Sequence, residues 1–202
     1  MAAELPQLLV ADAAEWRDWL TSNHADAPGV WLVLTKKGGT TTTLTYAEAV
    51  EEALCFGWID GQGAKRDAES SLQRMTPRRP RSPWSKVNVE RAERLEREGR
   101  MHDAGRAQVA DAKADGRWDK AYAGPATSEV PADLLAAIAE APAAQARFDV
   151  LTSTNRFALT YRLNSVKREE TRRRKIAEFV DKLSRGELPH PQKRRPEGQA
   201  PE

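Results

Sequence analysis

One cysteine, Cys55, and three histidines, His24, His102 and His190, are all that the 202 residues offer for disulfide or soft-metal chemistry. A single thiol excludes an internal disulfide, and the histidines show no zinc-ligand spacing, so no structural metal is expected. Cys55 falls in an apolar helical pattern, where a small thiol packs; the alternative is a reactive thiol. No stretch approaches the ~20 apolar residues that cross a bilayer. The opening MAAELPQLLVADAAEW lacks a basic n-region and carries early acids. It reads as neither a signal nor a transit peptide, so the expected compartment is the cytoplasm. There is no Walker loop and no GxGxxG or GxSxG after a strand, which leaves no cofactor to expect. Sequence order does not exclude a Ser-His-Asp arrangement, but nothing supports one. No repeat of solenoid period is present.

What the chain has in quantity is charge. Lys and Arg number 32 and Asp and Glu 30, a net charge of +2, beside 40% hydrophobic residues. That balance suits a soluble chain, of a length for one generous domain or a compact domain with a helical appendage. The sign is unevenly spread: residues 74–106 and 162–195 are basic-biased and the first third is mildly acidic, so local fields outweigh the total.

Asp12 with Glu15 has the form of a capping box, and Trp16, Trp19 and Leu20 recur at helical spacing, which predicts a short docking helix. VWLVLTKK after Pro28-Gly29 is apolar almost throughout, a strand central in a sheet or covered on both faces. Thr45 with Glu48 is a second capping box, and Tyr46, Val50, Ala53 and Leu54 keep the helical period to Gly57. Trp58-Ile59 restarts as a strand, Asp60, Gly61 and Gly63 allow a bulge, and the return through SLQRMT predicts a hairpin. Ser82 as N-cap and Pro83 at the first helical position predict a helix to Gly99, with Glu90 to Arg94 and Glu93 to Arg97 pairs on its wet face. From Asp103 the chain reads as helices interrupted at Gly116, Pro131 and Pro142. Ser153 or Thr154 caps a helix carrying Phe157 and Tyr161, and a last helix spans about 167–185. Residues 187–202 are rich in Pro, Gly and charge without periodicity, which predicts disorder.

The chemistry concentrates in residues 45–88. Trp58 and Asp60 face a run holding Arg74, Arg78, Arg79, Arg81, Ser82 and Trp84. A helix start at Ser82 behind three arginines is a plausible anion site for phosphate or carboxylate, with the two tryptophans available to stack on a base or ring. The competing reading is architecture, in which Asp60 pairs with Arg74 or Arg78 and the tryptophans are core. A second basic block, Arg172, Arg173, Arg174 and Lys175, invites a nucleic-acid reading. Glu169 and Glu170 dilute it and no aromatics interleave, which favours a solvated helix face.

At these residues the chain resembles the YdeI/OmpD-associated family of bacterial proteins, also described as bacteriocin-protection proteins. The likeness rests on WxxWL (16–20), GVWL (29–32), the helix ending in FGWIDG (46–61) and RxTPRRPRSxWSxxN (74–88). It continues through GRM (99–101), AKxDGRW (112–118), VPxDL (130–134) and ETRxRxI (170–176), spanning about 12–186. Asn164-Ser-Val-Lys-Arg stands where the family pattern has an Ala-Lys pair before Glu-Thr-Arg. The resemblance implies stress or peptide-resistance roles and carries over no catalytic residue or cofactor.

The expected fold is therefore α+β: an α+β core region over 1–100, a helical region over 101–186 and a loose tail. The expected function is a cytoplasmic, non-enzymatic binding or stress-resistance protein. Its ligand- or partner-binding face is Trp58, Asp60, Arg74, Arg78, Arg79, Ser82, Trp84, Ser85 and Asn88. An enzyme acting on a phosphorylated or carboxylated small molecule at that face is the alternative, and weak nucleic-acid binding the second.

Overall fold

A computed structural model describes residues 4–196. The fold is α+β, and the chain forms two units divided between Tyr122 and Ala123.

The first unit is built on a sheet of four strands in the order β1-β2-β4-β3. Strand β2 (Val30–Thr35) lies inside it, as its apolar run requires, antiparallel to β4 (Ser70–Pro77) and parallel to β1 (Gln7–Leu8). Strand β1 has no sequence signal of its own, being two residues held by backbone pairing to β2. Strand β3 (Trp58–Lys65) completes the expected hairpin with β4, and the register slips between Asp60 and Gly63 where the glycines permit a bulge. Facing residues of antiparallel strands share a side, so Val30, Met75 and Asp60 lie on one face and Trp31 with Arg74 on the other.

Helices cover the face that carries Met75. Helix α1 (Ala13–Asn23) starts where Asp12 accepts from the Glu15 N–H, and α2 (Tyr46–Cys55) starts on the full Thr45–Glu48 capping box. Trp16 and Trp19 stack at 5.3 Å, Trp58 meets both edge-on, and the Trp16 Nε1–H donates to Ala49 O. Helix α3 (Lys86–Arg97) and helix α4 (Asp103–Ala114) close this core. Among the described residues no ion pair joins Arg94 to Glu90; Arg94 pairs with Glu98 and with Glu51 on α2, where a partly buried carboxylate offers more than a wet one.

The second unit is four helices: α5 (Ala132–Ala139), α6 (Pro142–Asp149), α7 (Ser153–Asn164) and α8 (Glu169–Ser184). Its core is Leu134, Ile138, Phe148, Leu163, Phe179 and Leu183. Pro142 opens α6 as predicted, but α7 is capped by Thr152, whose hydroxyl accepts from Asn155 N–H. Arg172 grips Asp133 with Nε at 2.6 Å and Nη2 at 2.9 Å while its Nη1 donates to Leu163 O. That grip holds the Asp133 carboxyl below the usual carboxylate range. Two signatures of the sequence, VPxDL and ETRxRxI, thus meet as an inter-helix clamp.

The tail departs from the expectation of disorder over residues 187–196. Asn155, almost fully buried, accepts from His190 N–H and donates to His190 O and Gln192 Oε1, and Gln192 donates to Val150 O. Leu188 packs on the helical core. Polar anchoring of this kind leaves no apolar periodicity to read; the rest of that expectation lies outside the described residues. Truncation after Gly186 is expected to strand the Asn155 amide at about 1–3 kcal/mol. A melting temperature unchanged by the truncation, followed by circular dichroism, would contradict this docking.

Candidate functional site

The site is made by the loop that follows β4. Arg78 leaves the strand with its N–H bonded to Gly57 O, and the next residues form a turn in which Ser82 Oγ accepts from Arg79 N–H. Arg81 sits at φ +82°, a left-handed conformation that a non-glycine residue adopts only where its surroundings hold it. The chain then stays extended to Ser85, because Trp84 O accepts from Tyr122 N–H and Tyr122 O accepts from Lys86 N–H.

Helix α3 accordingly begins at Lys86 with Ser85 as its N-cap, accepting from Asn88 N–H at 3.2 Å. Ser82 is not a cap and Pro83 is not helical: the Ser82 hydroxyl is spent on the turn, and pairing with Tyr122 overrides the local preference. Helix-dipole binding at Ser82 goes with it. Asn88 is buried and accepts from Arg91 Nη1, while Arg79 and Arg81 stand in solvent.

Trp58, at 1% exposure, is core; its Nε1–H donates to His24 O and its ring meets Trp16 and Trp19, so it presents nothing to a ligand. Asp60 accepts from the Tyr46 hydroxyl at 2.6 Å, and among the described residues no ion pair joins it to Arg74 or Arg78. Burial and this carboxylate raise the Tyr46 hydroxyl well above the usual phenol range. Arg74 stands on the opposite face of the sheet from Asp60 and runs past Gly61. The expected Asp60–arginine pair therefore does not form.

What the fold does bring together is Arg78 and Trp84. The guanidinium carbon lies 3.7 Å from the ring centroid of Trp84, which tilts against Trp118. Arg78 is 6% exposed and Trp84 2%. Arg78 Nη1 donates to Pro83 O at 3.3 Å, whereas Nε and Nη2 of Arg78 and Nε1 of Trp84 have no partner among the described residues. Burial pushes the guanidinium down to about 10; the fields of Tyr122 and Asp60 oppose that and Arg117 adds to it. Buried charges are ordinarily paired, and an unpaired one is costly.

Sequence reasoning read Tyr46 only as a helix position and gave no site role to it, Arg117 or Tyr122. Arg117 clamps the loop by donating to Ser82 O at 2.9 Å while its Nε holds Asp115. Its one signal was the GRW that ends AKxDGRW; Tyr122, which pairs through its backbone and acts on Arg78 through its field, had none. A cleft of about 420 Å³ opens between α3 and α4, lined by Met101, Val109 and Trp118 among others, and neither Asp60 nor Arg78 lines it.

Geometry alone defines an α+β unit with a buried arginine on a tryptophan, joined in no ion pair among the described residues and followed in the chain by helices α5 to α8. Residues 8–108 match the family described as a domain of unknown function (DUF8412), and residues 127–186 match the family described as bacteriocin-protection, YdeI or OmpD-associated. No curated protein and no solved structure gave a match. The match to the YdeI/OmpD-associated family is carried by the second unit alone, and the motifs around Arg78 fall instead within the match to the domain of unknown function.

Proposed function

We propose that the protein is a binding protein, acting in the protective role its family is named for, and that it holds an anionic ligand at Arg78 and Trp84. One observation carries the reading: among the described residues a 6% exposed guanidinium has no carboxylate in contact, and two of its nitrogens and the Trp84 Nε1 have no acceptor. Leaving each such donor unmet costs about 1–3 kcal/mol, so an arrangement with several of them together points to an acceptor supplied by another molecule. Among the described residues no helix is long and apolar enough to span a membrane. The basic block in α8 supports a solvated face more than a nucleic-acid site, since Arg172 is held by Asp133, Arg173 pairs with Glu169 and Lys175 with Glu178.

Thermal melting against a panel of small anions tests the proposal. Wild type should be stabilised by RT ln(1 + [L]/Kd), about 2.7 kcal/mol at a hundred-fold excess over Kd. Arg78→Met should show no response to any member of the panel. A wild type indifferent to every anion would remove the proposal.

A further inference from the structure

We propose that the ligand group at this site is a monocarboxylate, gripped edge-on by the Nε and Nη2 fork of Arg78, an assignment that rests on the anion-binding reading above. In a guanidinium the Nε–H and the adjacent Nη2–H point the same way, at a spacing that matches the two oxygens of a carboxylate. These are the two Arg78 nitrogens without partners, while Nη1, on the other edge, is tied to Pro83 O. The fold therefore uses the one donor that a bidentate acceptor does not need and leaves the pair that it does. Trp84 Nε1, on the edge of the ring that the guanidinium covers, is also without a partner among the described residues. The two oxygens of a carboxylate accept one fork donor each and keep lone pairs to spare.

Charge and shape then separate carboxylate from phosphate. The cations around the fork amount to little more than Arg78 itself, because Arg117 is held by Asp115, and the Asp60 carboxylate contributes negative field to Arg78. A carboxylate brings one negative charge and neutralises the site. A phosphate monoester brings about −1.5 to −2 and would bury an excess, a cost that rises with the square of the charge. A planar carboxylate can meet both fork donors in the plane of the guanidinium, whereas a tetrahedral phosphate places oxygens out of that plane.

Calorimetric titration of the full chain with propionate and ethylphosphonate, which share an ethyl group, in buffer alkaline enough that the phosphonate carries two charges, separates the two chemistries. A short acetylated peptide with a free C-terminus, compared with its amide, separates a small acid from a chain end. Either carboxylate source should bind about ten-fold or more tighter than ethylphosphonate, the margin expected for the extra buried charge. Arg78→Lys, which keeps the charge and loses the fork, should weaken carboxylate binding by about ten-fold. Trp84→Phe, which loses only the third donor, should weaken it less. Ethylphosphonate binding as tightly as propionate would overturn the carboxylate assignment and leave the anion reading standing, and so would carboxylate binding untouched in Arg78→Lys. Failure of every anion to bind would end the anion reading itself.

Discussion

Gly105→Val is expected to unfold the first unit. A Cβ at position 105 would lie 2.2 Å from Cys55 O and 2.8 Å from Leu54 O, both backbone atoms at the end of α2. Within a helix, replacing glycine by a residue with a side chain ordinarily improves stability by about 0.5–1 kcal/mol. Here the sign reverses, because the obstructing atoms are peptide oxygens and the two helices must separate along their contact. The Cys55 carbonyl also accepts from His102 N–H, which sets the start of α4, so retreat of the helix breaks that bond as well. Overpacking against side chains that can yield costs about 1–3 kcal/mol, and against backbone on the order of 5, comparable with the whole stability of many domains. Gly105→Ala should fold but melt well below wild type. Circular dichroism of both variants checks this, and a Gly105→Ala protein as stable as wild type would show that the helices do not meet as described.

Removing Glu52 should be the most costly change to a charged side chain. Its carboxylate is buried, with Arg17 Nη1 and Arg100 Nη2 each 2.6 Å away on its two oxygens. Arg17 and Arg100 also bind each other's surroundings, since Arg17 Nη2 donates to Arg100 O. Deleting the carboxylate leaves two guanidinium groups facing one another. A broken buried pair costs about 3–5 kcal/mol, and because both arginines are about a third exposed the expected loss is nearer 2–3. Urea unfolding of Glu52→Ala measures it, and a loss under about 0.5 kcal/mol would place Glu52 among ordinary surface acids.

This hub is the architecture that sequence reading expected at Asp60, and the displacement shows what is legible in the chain. Local chemistry was: the Asp12 and Thr45 caps, the apolar β2, the β3–β4 hairpin with its bulge and the α+β class all follow from residue type and spacing. Choices made by distant backbone were not. Strand β1 exists because β2 offers it an edge, the start of α3 is delayed by Tyr122, and the tail is anchored by one buried asparagine. Of the candidate residues, Arg78 and Trp84 meet, Ser85 and Asn88 build the helix start beside them, and Trp58 goes to the core. Arg74 lies across the sheet because strand parity, invisible until the register is known, turned it away from Asp60. That one arginine among four would be buried without a carboxylate is a tertiary fact with no linear signature.

The central claim is that Arg78 is kept for a ligand rather than for the fold, and unfolding free energy in the absence of added anions tests it most directly. Methionine at 78 keeps a long side chain over Trp84 and removes a buried charge that, among the described residues, no carboxylate contacts. Arg78→Met is expected to match wild type within about 1 kcal/mol or to exceed it, as when buried charges are replaced by apolar groups of similar volume. A loss of about 3–5 kcal/mol, the signature of a broken buried pair, would contradict the account and make Arg78 part of the architecture.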